Sequence, residues 1–203
     1  MSIGTEFALV RNKLSWGSYP LCTGYMGTGI VEAVGSDIAS CVHRGCKVVA
    51  IDIDDGRLVV AQKLGADVAI NGQTTDVYEA LKSIRPEGAD VVFECTGIPQ
   101  CIDPAIALCR EHGSFVWQGN YGSEPVSMQF LPPHGRRLKM FFPCDDGLQA
   151  CRRAVVKNMA MGALQWEHCI SHRIGWGEAP AMFQRLNEGA AENIVGVVIN
   201  WQS

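Results

Sequence analysis

Short apolar runs alternate with amphipathic stretches along most of the chain. The short apolar runs, typical of strands, cover residues 47–53, 67–70, 90–95, 114–118, 137–142, 170–174 and 194–200. Between them, apolar residues recur at helical spacing over residues 56–64, 76–84, 103–112, 145–164 and 178–186. Strands that alternate with helices pair in parallel through crossover connections. The pattern therefore predicts an α/β protein built on a parallel sheet.

Capping residues define the expected ends of two of these helices. Asp76 and Glu79 are spaced as a capping box at the start of the second helix. Asp103 is expected to cap the third helix, with Pro104 in its first turn and Gly113 after its end. The third helix is therefore predicted to extend as far as residue 112.

Composition and charge exclude several classes of protein. Of the 203 residues, 47% are hydrophobic and 19% are charged, which is a globular composition. There are 17 basic and 21 acidic residues, so the chain lacks the basic surplus that neutralises phosphates. No apolar run approaches the roughly 18 residues of a membrane-spanning helix, and the N-terminus lacks the pattern of a signal peptide. Neither a nucleic-acid partner nor membrane association is expected.

The nine cysteines are odd in number and show no C-x-x-C spacing. In an apolar chain of this length, a framework of disulfides is not expected. We interpret the cysteines as small, buried, reduced thiols, which indicates a cytoplasmic protein.

Asp52 is the sharpest single signal of function. It ends the first predicted strand and precedes a helix, and in doubly wound folds an acid at this place hydrogen-bonds the adenosine ribose of NAD. Asp54 and Asp55 add negative charge that would repel the 2′-phosphate of NADP. Arg57 lies close enough in sequence to reach the adenine or its ribose. A plain solvated acidic turn accounts for the local sequence equally well.

The glycine loop that should precede such an acid is weak. A Rossmann unit needs G-x-G-x-x-G between its first strand and helix, and the only candidate is GYMGTGIVE at residues 24–32. Gly27 and Gly29 supply the first two positions, whereas Glu32 stands in place of the third glycine. The segment Gly27-Thr28-Gly29 is either a replacement phosphate loop or part of an ordinary strand.

A possible metal motif also occurs near the C-terminus. His168 and His172 have a spacing that could bind zinc on a helix. The segment is predicted to be extended, and four residues of strand span about 13 Å, which is too far for two ligands that each lie about 2 Å from one zinc. Both histidines are therefore interpreted as structural.

Several segments resemble the medium-chain dehydrogenase/reductase family. The runs KVVAIDIDDGRLVVAQKLGADVAIN, ADVVFECTG and GSFVWQGNYG are similar, in order and spacing, to its cofactor domain, and CISHRIGWGEAPAMFQRLNEG resembles its C-terminal stretch. SIGTEFALVR and YPLCTGYMGTGIVEAVGSDI resemble the start of its GroES-like substrate domain. The resemblance implies a partial GroES-like β domain over 1–44, an NAD(P)-binding Rossmann-type domain over 45–169, and a return to the substrate domain over 170–203.

Two departures from the family pattern matter for chemistry. A large block is absent between about residues 38 and 45, and in the family that block holds the first Rossmann strand and the glycine loop. Ile3, Tyr25 and Met26 stand where zinc-dependent members have their ligands, and none of these three residue types belongs to a tetrahedral zinc site. The chain therefore most resembles the zinc-less branch, and no metal is expected.

The resemblance also assigns cofactor-binding positions. Thr96 and Gly97 match the strand end that faces the nicotinamide half of the dinucleotide. Gln118, Gly119 and Asn120 match the strand end that hydrogen-bonds the carboxamide through backbone groups. With Asp52 and Arg57 at the adenosine end, these residues imply a site for NAD in preference to NADP.

The resemblance also implies which residues transfer the proton and how two chains associate. Thr5 matches the hydroxyl residue of the family's proton relay, and Tyr25 replaces a ligand histidine and could donate a proton. Val195 stands where the family has an arginine that binds the pyrophosphate. Family members pair an edge strand across a two-fold axis, and here that strand runs from Arg137 to Phe142, so a homodimer is expected.

Two functions remain open at this point. The first is a zinc-independent NAD(H)-linked oxidoreductase that acts on a small alcohol or carbonyl compound. The second is a catalytically inactive truncated paralogue, or a binding or regulatory remnant. Asp52 and the segments 95–97 and 118–120 favour the first function, and the missing glycine loop favours the second. A chain that joins retained parts of a longer enzyme is the third possibility, and the sequence does not identify a substrate.

Overall fold

The computed structural model describes residues 47–143, 149–162, 167–189 and 194–202. Their strands and α-helices, in chain order, are β1 (Val49–Asp52), α1 (Asp55–Lys63), β2 (Val68–Asn71), α2 (Val77–Ile84), β3 (Ala89–Glu94), α3 (Ile102–Ala107), β4 (Cys109–Trp117), α4 (Leu131–Gly135), β5 (Lys139–Phe141), α5 (Gln149–Ala160), β6 (His172–Gly175), α6 (Ala179–Asn187) and β7 (Val197–Asn200). Every strand pair within these ranges is parallel. The predicted α/β class with parallel sheets is confirmed.

The chain divides into two compact units. Within the described ranges, the first unit comprises residues 47–73, 149–162, 167–189 and 194–202, and the second comprises residues 74–143. The first unit holds two separate strand pairs, β1–β2 and β6–β7, and the second holds a sheet in the order β3–β4–β5. The predicted domains, which have boundaries at 44/45 and 169/170, stay a prediction.

In the first unit, β1 and β2 run side by side with α1 packed on them. Asp52 pairs with Asn71 at the carboxyl end of the two strands. Leu58 of α1 and Ile70 of β2 are buried. Because both strands are short and parallel, their polar carboxyl ends lie together at one edge, next to the start of α1.

The segment with the two histidines leads into β6, which pairs with β7 in the second strand pair of this unit. His172 begins β6 and pairs with Val197, while His168 lies in a 3₁₀ turn, Glu167–Cys169. The prediction that the whole segment is extended is therefore wrong at its start. Within the described ranges, no group of three or more histidine, cysteine or acidic side chains is placed to hold a metal ion.

In the second unit, one face of the three-stranded sheet is packed on α3. Ile102, Ile106, Phe115 and Trp117 are buried there, with Val92 and Met140 of the flanking strands packed against them. The strand predicted over 137–142 is observed as β5, an edge strand that pairs with β4. The core therefore fixes the carboxyl ends of β3 and β4, where the turns at 95–97 and 118–120 begin.

The helix predicted over 103–112 is wrong at both ends. It begins at Ile102, and the carboxylate of Asp103 is not its cap but accepts from the backbone N–H of Gln129 at 2.9 Å. It ends at Ala107, because Arg136 Nη1 donates to the carbonyls of Ile106 and Ala107 at 3.0 and 2.8 Å. Long-range hydrogen bonds thus replace the last turn that local sequence favours.

The residues that follow α3 belong to β4 and form an irregular bulge in it. Ala89 pairs with Cys109 and Val91 pairs with Ser114, so an advance of two residues along β3 corresponds to five residues along β4. His112 adopts a left-handed φ of 55° within this bulge. The α2 cap was predicted more closely: Asp76 accepts from the N–H of Glu79 at 3.1 Å, the first half of a capping box.

Cys95, Cys101, Cys109 and Cys169 are free thiols, and only Cys109 of these four is buried. Cys95 is exposed, and Cys101 and Cys169 are half-buried. The expectation of uniformly buried cysteines is therefore wrong for Cys95, which lies in the turn after β3. In the part of the chain that the structure describes, no helix combines the length and the apolar character needed to cross a membrane.

Candidate functional site

At the carboxyl end of β1, the backbone turns around the side chain of Asp52. Its Oδ1 accepts from the N–H groups of Ile53 at 2.7 Å and Asp54 at 3.0 Å. Arg57 Nη1 lies 3.8 Å from the same oxygen. Among the described residues, nothing donates a hydrogen bond to Oδ2. The turn is therefore fixed by one carboxylate oxygen, while the other accepts nothing from the described residues.

The neighbouring acids each have a local structural task as well as a charge. Asp54 is the N-cap of α1 and accepts from the N–H of Arg57 at 3.1 Å. Asp55 Oδ1 accepts from Asn71 Nδ2 at 2.7 Å, and the N–H of Gly72 donates to the carbonyl of Asp52 at 3.0 Å. The ends of β1 and β2 are thus tied together, with three carboxylates at one edge.

In the second unit, a buried carboxylate lies at the carboxyl end of β3. Only 3% of Glu94 is exposed. Its Oε1 accepts from the N–H of Thr96 at 2.9 Å and from the Thr96 hydroxyl, and its Oε2 accepts from the hydroxyl of Tyr121. Oε1 therefore accepts hydrogen bonds from the turn after β3, and Oε2 accepts one from the turn after β4.

The same two turns meet backbone to backbone. A Cβ on Gly97, which has φ +68°, would lie 2.5 Å from the carbonyl oxygen of Asn120, and a Cβ on Gly119 would lie 2.5 Å from the nitrogen of Gly97. No side chain fits at either contact. Glycine at these two positions lets the turns approach closely enough for Glu94 to bridge them.

Hydrogen bonds within the turns decide which backbone groups are available. The N–H groups of Gln118 and Gly119 both donate to the carbonyl of Glu94, at 2.9 and 2.8 Å. Over residues 74–143, no partner is found for the carbonyl of Gln118 or for the N–H of Asn120. These two groups form an acceptor and a donor two residues apart, which complement a primary carboxamide.

The electrostatics of the bridge keep Tyr121 protonated. Burial raises the pKa of Tyr121, and the hydrogen bond and the charge of Glu94 raise it further. A phenol is neutral below its pKa, and its ordinary value is about 10. The hydroxyl of Tyr121 therefore stays a hydrogen-bond donor at neutral pH.

The structure groups the predicted residues within their own units. Asp52 and Arg57 lie together in the first unit, and the turns Thr96–Gly97 and Gln118–Asn120 lie together in the second. The other predicted positions, Thr5, Tyr25 and the Gly27-Thr28-Gly29 segment, lie outside the described residues.

Sequence reasoning missed three residues of these sites. Asn71 was overlooked because the predicted strand ended one residue before it. The apolar run that contains Glu94 predicts an ordinary strand residue there, although an acid at the end of an apolar run signals a buried or functional carboxylate. Tyr121 lies 27 residues from its partner Glu94, so no local pattern connects the two.

Comparison with known proteins identifies the family of this chain. The family described as zinc-binding dehydrogenase matches residues 35–160, more than half of the chain. D-xylulose reductase of Saccharomyces cerevisiae is 26% identical over 197 residues, which cover 94% of this chain and 54% of that protein. L-threonine 3-dehydrogenase of Symbiobacterium thermophilum is 36% identical over 101 residues, 49% of this chain and 26% of that protein. The chain thus spans little more than half the length of the yeast relative.

Solved structures agree on the fold. A protein from Sinorhizobium meliloti 1021, described as a zinc-binding dehydrogenase and bound to NADP, superposes with a TM-score of 0.67 at 26% identity over 75% of this chain and 44% of its own. A short chain alcohol dehydrogenase from E. coli CFT073, complexed with NADH, superposes with a TM-score of 0.68 at 20% identity over 81% of this chain and 47% of its own. The α/β fold described above is therefore shared with these two proteins.

Proposed function

Because this chain belongs to the zinc-binding dehydrogenase family, we propose that it is an oxidoreductase that interconverts a small alcohol and the corresponding carbonyl compound with a nicotinamide dinucleotide. The observation that carries the proposal is the carboxylate of Asp52 at the carboxyl end of a parallel strand, directly before α1. Ligands of open α/β sheets bind at this end of the strands. Relatives named D-xylulose reductase and L-threonine 3-dehydrogenase support the reaction class.

The adenosine end of the dinucleotide fits the first unit. Asp52 Oδ2 faces no donor among the described residues and can accept from a ribose hydroxyl. Asp54 and Asp55 place two further negative charges beside it, and like charges within a few ångströms cost energy. A 2′-phosphate is therefore disfavoured, and we propose that NAD is preferred over NADP, although one structural neighbour is bound to NADP.

The nicotinamide end fits the second unit. A carboxamide carries one carbonyl acceptor and an NH₂ donor, which match the N–H of Asn120 and the carbonyl of Gln118. Thr96 and Gly97 form the facing turn. A bound nicotinamide supplies hydride transfer, and the residues of this chain contribute its orientation.

We propose that the proton chemistry is independent of zinc. The hydroxyl of Tyr25 would give or take the substrate proton, with Thr5 as the second hydroxyl of the relay. Ile3 and Met26, with Tyr25, occupy the positions that hold zinc in other members, and their side chains do not ligate it in tetrahedral sites. Elemental analysis that finds one zinc per chain, removed by a chelator with loss of activity, would contradict this part.

A second candidate function is dinucleotide binding without turnover. The sequence lacks a complete G-x-G-x-x-G motif, and Val195 stands at the position of the family's pyrophosphate-binding arginine. Anchoring of the pyrophosphate normally depends on glycine amides and a helix N-terminus. Weak cofactor affinity and slow or absent turnover are therefore expected of the 203-residue chain.

Calorimetric titration with NADH and NADPH tests the cofactor proposal. NADH is expected to bind more tightly, and the double substitution Asp52→Ser with Ile53→Arg is expected to narrow or invert the preference. Thr74→Ser, in the second unit, is the matched control for handling and folding. Equal or tighter binding of NADPH by the unmodified chain would rule out the preference, and the absence of binding to either nucleotide would rule out the function.

We also propose that the protein forms a homodimer through the edge strand β5. Its outer edge is unpaired among the described residues, and Phe141 and the adjacent Phe142 are exposed. Exposed apolar edge strands favour association, and two-fold dimers are the commonest closed solution. Light scattering should report a dimer at micromolar concentration, and a monomer would contradict the pairing.

A further inference from the structure

Glu94 is the one charged or polar residue that is buried among the described residues. A carboxylate in that environment is costly unless donors surround it. Thr96 supplies donors to Oε1, and Tyr121 supplies one to Oε2. The carboxylate therefore links the turn after β3 to the turn after β4 by one oxygen each.

Tyr121 is held at both ends of its side chain. Its ring packs edge-on against Trp117, with the centroids 5.5 Å apart and the planes at 69°, and its hydroxyl donates to Glu94. Trp117 itself belongs to the buried core of the second unit. The backbone of residue 121 is therefore fixed relative to the sheet, and so is that of the preceding residue, Asn120.

Asn120 is the residue whose placement matters most for a carboxamide. Its carbonyl lies against Gly97, its side-chain Oδ1 accepts from the N–H of Gly122 at 2.8 Å, and its own N–H is available. The bond between Tyr121 and Glu94 closes the loop on the other side. The N–H groups of Gln118 and Gly119 hold the start of the turn by donating to the carbonyl of Glu94.

We propose that Tyr121 is a positioning residue that, through Glu94, holds the N–H of Asn120 and the carbonyl of Gln118 where a nicotinamide carboxamide would meet them. The inference rests on the proposed function and names a residue that does not itself touch the cofactor. It separates the two ends of the dinucleotide, because the adenosine end is assigned to Asp52 in the other unit. Loss of the Tyr121 hydroxyl should therefore affect only ligands that carry the nicotinamide.

The test compares NADH with ADP-ribose, which has the adenosine and pyrophosphate but no nicotinamide. Tyr121→Phe keeps the ring on Trp117 and removes only the hydroxyl. Since a hydrogen bond to a charged group is among the stronger ones, we expect its loss to weaken NADH binding about tenfold and to leave ADP-ribose binding unchanged. Tyr78→Phe is the matched control, because the exposed Tyr78 lies on α2 with Lys82 over its ring, and it should change neither dissociation constant.

The outcomes are distinguishable. If the unmodified protein binds neither ligand, the proposed function fails, and this inference fails with it. If it binds both, and Tyr121→Phe weakens both equally or neither, the positioning role is overturned while the proposed function stands. Should Tyr121→Phe not fold, Glu94→Leu provides the second variant: its apolar side chain accepts from neither turn, so the same selective loss for NADH is expected, and equal loss for ADP-ribose contradicts the inference.

Discussion

Asp52 ends β1 and Glu94 ends β3, so each unit places a carboxylate at the carboxyl end of a parallel strand. The two acids differ in their surroundings. The side chain of Asp52 is 31% exposed, and its contacts to the described residues all reach one oxygen. Glu94 is 3% exposed, and both of its oxygens accept hydrogen bonds from the protein.

The difference shows that an acid at the end of a parallel strand can have either of two roles. A carboxylate with an oxygen left over can recognise a ligand, whereas one with both oxygens occupied can only hold the backbone around it. In this chain we propose the half-buried acid for the ribose and the buried acid for the geometry of the turns. Only the buried acid should contribute strongly to stability.

The largest expected effect comes from Glu94→Ala. It leaves the hydroxyls of Tyr121 and Thr96 without their acceptor, and we expect the free energy of unfolding to fall by about 2–4 kcal/mol. Asp52→Ala is the matched variant in the other unit, and it should cost less than about 1 kcal/mol, because water can reach the N–H groups that it frees. Urea unfolding followed by tryptophan fluorescence and by circular dichroism measures both. Equal losses would remove the contrast between the two acids.

Local sequence patterns predicted most of the strands and helices. The apolar runs around β1 and β3 are β-branched enough to indicate strands by themselves, and Asp76 is a sufficient signal for the start of α2. The helix that ends at Ala107 was extended too far, because residues 108–112 are compatible with a helix. The competing partner is Arg136, which is 29 residues away from Ala107, and no pattern within the helix reveals it.

The residues of the candidate site also differ in whether local sequence predicts them. Asp52 was predicted because its signal is local: an acid directly after a buried strand and before a helix. The link between Glu94 and Tyr121 was not, since it joins residues whose proximity depends on the packing of β3 beside β4. Gly97 and Gly119 were assigned by resemblance, and the reason that glycine is needed there, a backbone contact between two turns, is visible only in three dimensions.

The next effect in size concerns that backbone contact. Gly119→Ala adds a Cβ that would lie 2.5 Å from the nitrogen of Gly97 and 3.0 Å from Glu94 Oε2, and overpacking of this kind costs about 1–3 kcal/mol. The free energy of unfolding should fall accordingly. Gly135→Ala is the control in the same unit, because an added Cβ there meets nothing within 4 Å, and it should be close to neutral. Equal unfolding midpoints for the two variants would show that the turns can separate without cost.

The smallest effect is expected at the surface pair of Arg57 and Asp52. It tests how loosely the protein holds Asp52 compared with Glu94. The pair is 3.8 Å apart with side-chain exposures of 46% and 31%, and exposed pairs contribute about 0–1 kcal/mol, less at high salt. Arg57→Ala should therefore shift the urea midpoint little at low salt and not at all in 1 M NaCl (roughly a 3 Å screening length). Arg110→Ala is the counterpart in the second unit, where Nε lies 2.5 Å from Asp90 and a second nitrogen donates to the carbonyl of Glu111, so it should cost somewhat more. A large, salt-independent loss for Arg57→Ala would mean that the protein holds Asp52 as tightly as it holds Glu94, and the contrast between the two acids would fail.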